Sequence, residues 1–154
     1  MSDAVIQEAL SWLGTPYHHA ARVKGAGADC GQFPAAVFEA AGLIPPLDID
    51  YYPCDWHLHR DDERYLSIVE RHFSKVPIDL ELTKNGGDLA NSQLPLPGDI
   101  ALFRYGRAIS HGAIVIDWPI VIHAYIHAGA VVLDDALANT DLAGRFVGVW
   151  RLKK

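Results

Sequence analysis

Part-way along this chain the hydrophobic period changes from helical to extended, and few folds accommodate both halves. In the first half apolar residues recur at three- and four-residue steps. Val5, Ile6, Ala9, Leu10 and Leu13 predict a helix over 3–13, capped by Asp3 and stopped by Gly14. Phe33, Val37 and Phe38 predict a second over Cys30–Ala41, ended by Gly42. Tyr65, Leu66, Val69 and Phe73 predict a third, capped by Asp61 or Asp62 and running to Phe73. Between them, His18–Ala28 reads as a glycine-rich loop, and Leu43–Trp56, with Pro45, Pro46 and Pro53, as an extended one. Lys75–Gln93 has mixed character, with Asn85-Gly86-Gly87 a turn signal. From Leu94 the period is two. Pro97-Gly98-Asp99 marks a turn, and strands are predicted at 100–105, 111–116, 120–125, 130–133 and 146–152. Helices followed by strands give an α+β fold with a meandering antiparallel sheet.

At 154 residues the expectation is one domain over 1–154, large enough to build a core without disulfides. A hydrophobic share of 50% with 21% charged residues is ordinary globular composition. The net charge of −6, with scattered basic residues, argues against nucleic acid and anionic membrane surfaces as partners. No basic segment followed by a long apolar run opens the chain, so a cytoplasmic product without a signal peptide is expected. No apolar run reaches the roughly 18 residues of a membrane span.

Cys30 stands where a loop of small residues meets the second helix. Free N–H groups and the positive helix end favour a thiolate there, so a nucleophile of lowered pKa is expected. Pro34 removes one early helical hydrogen bond or marks an irregular first turn, and the residues leave both open. His111 and His123 lie in successive strands, twelve residues apart, flanking Asp117-Trp118-Pro119. Directly opposed residues of an antiparallel pair share a face. His111 and His123 are opposed only if the hairpin is centred on Asp117, which requires a loop of three or five residues. With that geometry Cys30 is a nucleophile, His111 its base and His123 the group orienting His111, while the Cys30 N–H offers an oxyanion donor. A metal alternative draws on His18-His19, His57-Leu58-His59 and the His123/His127 pair. No cysteine or carboxylate completes a ligand set at zinc spacing, so no metal is expected.

Five short runs in order carry a resemblance: Trp12-Leu13-Gly14-Thr15-Pro16-Tyr17, Asp29-Cys30-Gly31, Leu96-Pro97-Gly98-Asp99-Ile100, Ser110-His111-Gly112-Ala113-Ile114-Val115 and Val121-Ile122-His123-Ala124. Together they resemble the NlpC-type cell-wall cysteine peptidases, which are papain-like α+β enzymes. Tyr51-Tyr52-Pro53-Cys54-Asp55-Trp56 and the closing Phe146-Val147-Gly148-Val149-Trp150-Arg151 resemble the tail-assembly branch encoded by phages and prophages. The resemblance implies N-terminal helices packed on a C-terminal sheet, no cofactor, and hydrolysis of a peptidoglycan stem-peptide amide, most often γ-D-glutamyl to a diamino acid. It implies Cys30 as nucleophile, His111 as base, His123 as orienting residue and Tyr17 as a hydroxyl assisting the oxyanion. Asp29 matches a position that shapes the loop and caps the helix; with Ser110 and Gly112 it is also expected to bind substrate. Phage tail proteins are the implied partners, and a tail or the cell wall the implied destination. Gly31, Gln32 and Pro34 depart from the family pattern beside the nucleophile. Two other classes stay open: a non-catalytic tail or scaffold component, and an acyltransferase on the same scaffold.

Overall fold

The alternating second half folds as one antiparallel sheet. In the computed structural model, which describes residues 2–50, 52–59, 62–79, 83 and 94–154, it has six strands. In chain order they are β3 (Phe73–Lys75), β4 (Ile100–Tyr105), β5 (Ala108–Asp117), β6 (Ile120–Tyr125), β7 (Ala130–Asp135) and β8 (Phe146–Leu152). A short hairpin, β1 (Arg22–Val23) with β2 (Gly27–Ala28), precedes them. Strands β4 to β7 form the expected meander, but β8 returns along the other edge of β4 and β3 pairs with β8. The order is therefore β3-β8-β4-β5-β6-β7.

The predicted helices are shorter than their hydrophobic patterns. Helix α1 is Ser2–Leu10 and α2 is Gln32–Ala40. After Leu10 the chain tightens into i−3 hydrogen bonds, Trp12 N–H to Ala9 O and Leu13 N–H to Leu10 O. That turn buries Trp12 and leaves Leu10 and Leu13 exposed. The third predicted helix is only α4, Arg64–Val69, because Phe73 is taken up by β3 pairing with Leu152. Two one-turn helices, α3 (Trp56–His59) and α5 (Thr140–Ala143), have too few residues to show a period. The Asn85-Gly86-Gly87 turn, Asp61 as a cap and Tyr51 of the aromatic run lie outside the described residues.

Both faces of the sheet are covered. Alternate residues Ile100, Leu102, Ile114 and Ile122 meet Val5 and Ala9 of α1 and Phe33, Val37 and Phe38 of α2. The intervening residues Ala101, Phe103, Val115 and Val121 meet Leu142 of α5, with Phe146 and Val149. No described helix is long and apolar enough to cross a membrane. The Pro97-Gly98-Asp99 turn forms, with Gly98 at φ +91 and the Asp99 N–H donating to Leu96 O. Buried Asp99 then receives Nε and a terminal N–H of Arg151, each at 2.8 Å, which ties the start of β4 to the end of β8.

Candidate active site

Asp29 organises the turn that presents Cys30. Its carbonyl accepts the Phe33 N–H at 3.0 Å and its Oδ1 accepts the Gly31 and Gln32 N–H groups, so it caps the start of α2. Its Oδ2 accepts the Ala20 N–H at 2.7 Å and the Tyr52 hydroxyl. With 2% of its surface exposed and four internal donors, this carboxylate is committed to shaping the loop.

Pro34 is answered by a side chain. A residue at 34 with an N–H would donate to the Cys30 carbonyl, four residues back. Proline has none, and the Tyr65 hydroxyl of α4 donates to Cys30 O instead, at 2.7 Å. Tyr65 reaches there by passing over Gly112, where an added Cβ would overlap the tyrosine hydroxyl and lie 3.1 Å from its Cζ. Gly112 thus provides clearance. Half-buried Cys30 directs its Sγ–H to the Ser110 carbonyl at 3.3 Å, and Ser110 itself is buried.

Strand β5 carries His111 one residue beyond Ser110. The turn before β6 is Trp118-Pro119, flanked by the Asp117↔Ile120 pair, so it has two residues rather than three or five. Such a turn alone would put the two histidines on opposite faces. A bulge between Val115 and Asp117 inserts one extra residue, Ile116, and restores the parity. From the opposed pair Ile114↔Ile122, His111 is three residues away and His123 one, both odd steps. The rings therefore share the face opposite those isoleucines, set diagonally rather than directly across. His111 Nε2 and His123 Nδ1 lie 2.8 Å apart. His123 Nε2 lies 3.0 Å from Asp134 Oδ2 on β7.

The segment before the β1–β2 hairpin brings in Tyr17. Gly14 N–H donates to Val131 O and Tyr17 N–H to Gly129 O, so residues 14–17 lie along the free edge of β7. Cys30, His111, Tyr17, Ser110, Tyr105 and Tyr125 then share the wall of one cavity of about 260 Å3. A second cavity of about 210 Å3, walled largely by apolar side chains such as Phe38, Ile44, Leu47 and Ile68, also reaches Cys30.

No family model matches the chain, and no curated protein matches it. Solved structures do. A lipoprotein-like NLP/P60 family protein from Staphylococcus aureus subsp. aureus Mu50 superimposes over 99% of this chain with TM-score 0.64 and 18% identity. An NlpC/P60 family protein from Bacillus cereus ATCC 10987 does so over 99%, with TM-score 0.62 and 19% identity. The NlpC/p60 domain of the peptidoglycan hydrolase SagA matches over 100% of this chain and 99% of its own, with TM-score 0.60 and 16% identity. This chain has the NlpC/P60 fold. It spans about two-fifths of the first and second of these proteins, 41% and 40% of their lengths.

Electrostatics within this NlpC/P60 fold correct one expectation. The Cys30 thiol is not held as a thiolate: burial, then the adjacent Asp29 carboxylate, push it up to about 12, while a hydrogen bond from Tyr17 pulls the other way. The helix end that was to activate the sulfur has its first N–H groups occupied by Asp29. Burial lowers His111 well below 6.5, and neighbouring His123 adds to this. Burial also lowers His123, opposed by Asp134. The resting pair is a neutral thiol and a neutral imidazole. Tyr17 is raised by burial first, then by Cys30 and Asp29, so its hydroxyl stays protonated.

Sequence reasoning missed Tyr65 and Asp134. Tyr65 was visible only as part of an apolar stripe. Asp134 sits in an Asp-Asp pair on a strand whose predicted end was Leu133. Among the described residues no three His, Cys, Asp or Glu side chains form a group able to hold a metal ion.

Proposed function

We propose that this chain is a cysteine peptidase that hydrolyses amide bonds of peptidoglycan stem peptides, with Cys30 as nucleophile, His111 as base and His123 as the residue orienting it. The observation that carries this reading is the 2.8 Å contact of buried His123 with His111, which lines the same cavity as Cys30. The peptidoglycan hydrolases with the same fold, SagA and RipB of Mycobacterium tuberculosis, support the substrate class. Because the resting thiol is neutral, His111 removes its proton as the sulfur attacks, rather than waiting beside a preformed thiolate. Sulfur adds to the carbonyl carbon, and the oxyanion faces the Cys30 N–H and the protonated Tyr17 hydroxyl. The proton passes from His111 to the leaving amine, the C–N bond breaks, and water releases the thioester. The bond favoured is γ-D-glutamyl to a diamino acid, and the sequence motifs favour a phage or prophage source, with delivery in a tail or at the wall.

Digestion of purified sacculi, followed by mass analysis of the fragments, tests this. Soluble muropeptides ending at D-glutamate should appear with the intact protein and vanish with Cys30→Ala at unchanged melting temperature. Equal digestion by the alanine variant rules the reading out. The apolar cavity beside Cys30 favours acyl transfer as the second reading, with an aliphatic chain in that cavity. Turnover of a fatty-acyl ester with no release from sacculi selects it.

A further inference from the structure

We infer that Asp134 is a positioning residue whose carboxylate sets the tautomers of both histidines and leaves the Nδ1 lone pair of His111 as the base. This rests on the reading of His111 as base and extends it by naming the nitrogen that acts and the groups that select it.

The argument starts at a helix cap. Asn139 precedes α5, and its side-chain oxygen accepts the Asp141 backbone N–H at 3.0 Å. A backbone N–H can only donate, so the amide orientation is fixed. The Asn139 Nδ2–H group therefore points at Asp134 Oδ2, 2.8 Å away. The other oxygen, Oδ1, accepts the Asp135 backbone N–H at 2.8 Å. Neither donor can reverse, so the Asp134 oxygens are both held as acceptors.

His123 Nε2 is the third group on this carboxylate. With both Asp134 oxygens held as acceptors, the hydrogen of this contact is supplied by His123 Nε2. The neutral His123 ring then has its lone pair on Nδ1. That lone pair faces His111 Nε2, which must carry the hydrogen of their contact. In neutral His111 only Nδ1 is left without a proton. The cap of a one-turn helix thus determines, three hydrogen bonds away, which atom of His111 is basic.

Proton bookkeeping for the attack then closes without a second transfer. The Cys30 proton moves to His111 Nδ1. The new imidazolium charge is met by the His123 lone pair and, behind it, by Asp134. Other charged or titratable groups around His111 are Tyr105 on β4, Tyr125 on β6, His127 beyond it, and Asp141 on α5. Asp141 already accepts the hydroxyls of Tyr105 and Tyr125 at 2.7 and 2.5 Å and pairs with Arg145 at 3.4 Å. His123, not Asp141, makes the direct contact with His111 Nε2.

Asp134→Asn is the informative change. An amide at 134 must turn its N–H groups toward the fixed Asp135 N–H, or toward Asn139 and His123, where donation to His123 reverses both tautomers. An Asp→Asn change beside a catalytic histidine lowers kcat about 10⁴-fold in a serine triad. One imidazole further out, a fall of about 10²-fold at neutral pH is expected, with KM within threefold. The acid limb of kcat should shift as well, and Asp134→Glu should recover part of the rate. Imidazole ¹⁵N spectra of the Cys30→Ala protein give a readout independent of turnover. They should show His111 Nδ1 unprotonated and Nε2 protonated, and this pattern should be lost on adding Asp134→Asn. A protonated His111 Nδ1 at neutral pH, or a folded Asp134→Asn enzyme within twofold of the parent kcat, overturns the inference. If instead His111→Ala retains full activity on sacculi, the assignment of the base has failed, whatever Asp134 does.

Discussion

Removing one oxygen from Tyr65 isolates the means by which the chain accommodates Pro34. In Tyr65→Phe the ring stays packed on the helical face of the sheet, and only the donor to the Cys30 carbonyl is lost. That carbonyl has no replacement from the helix, because residue 34 lacks an N–H. A half-buried acceptor left without its partner costs about 1–3 kcal/mol. Water admitted from the cavity beside Tyr65 and Cys30 holds the cost toward the lower end. For a chain of this size each kcal/mol shifts the midpoint by about 2–4 °C, so thermal unfolding should fall by roughly 2–6 °C. The second arm is Pro34→Ala, which returns the missing N–H. In the Tyr65→Phe background the new N–H has a carbonyl to serve, and the double variant should recover about 1 kcal/mol relative to the sum of the singles. Chemical denaturation of the four proteins gives the coupling directly. If Tyr65→Phe unfolds within 0.5 °C of the parent and the cycle shows no coupling, the substitution of a hydroxyl for a helical N–H is refuted.

Three further outcomes follow from the same geometry. Gly112→Ala should destabilise by about 1–3 kcal/mol, because the new methyl displaces Tyr65; denaturant titration checks it, and Tyr65→Ala should relieve most of the clash. In a thiol-labelling series, exposed Cys54 should react before Cys30 at neutral pH, with Cys30 alkylation rising steeply in alkali; peptide mass mapping gives the order. Folding stability should be lost on both sides of neutrality. His111 and His123 are held below 6.5, so the stability tied to their neutral forms is present above 6.5 and declines as pH falls below it. Cys30 is held above 9.0, so its contribution is present below 9.0 and declines as pH rises toward about 12; thermal melts across pH should show this alkaline limb flattened in Cys30→Ala.

The pattern of the chain foretold the sheet better than the helices, for a physical reason. A strand flanked on both sides reads its alternation directly from its neighbours, and β4, β6 and β8 begin and end where the apolar alternation does. Helix length depends on where tertiary contacts outcompete i−4 hydrogen bonds. Phe73 fits the stripe of α4 perfectly well in sequence, yet pairs with Leu152, 79 residues away. The order β8-β4 and the edge strand β3 were not legible, because a return across the sheet leaves no local periodicity. Cys30 was legible by position but not by charge. Its helix start pointed to a thiolate, whereas Asp29 had already claimed the same N–H groups.

The histidine pair shows how a site can be foreseen for an incomplete reason. Parity was the correct criterion: the two rings meet only if an odd number of residues is placed between strands in register. A loop of three or five residues centred on Asp117 would place that odd residue in the turn. It lies in the strand instead, as Ile116, because a bulge changes parity as effectively as a longer turn and leaves a two-residue connection intact. The bulge also twists β5 relative to β6, and ladder pairing is not continued past Ile114↔Ile122. Just beyond that point the histidine rings meet diagonally, with room for Asp134 to approach from β7. A directly opposed pair would have placed His111 and His123 side by side along one ladder rung. The diagonal offset leaves His123 between His111 and Asp134, so its two nitrogens serve different partners. The residue that a turn-based reading could not locate is therefore what makes a relay of three groups possible.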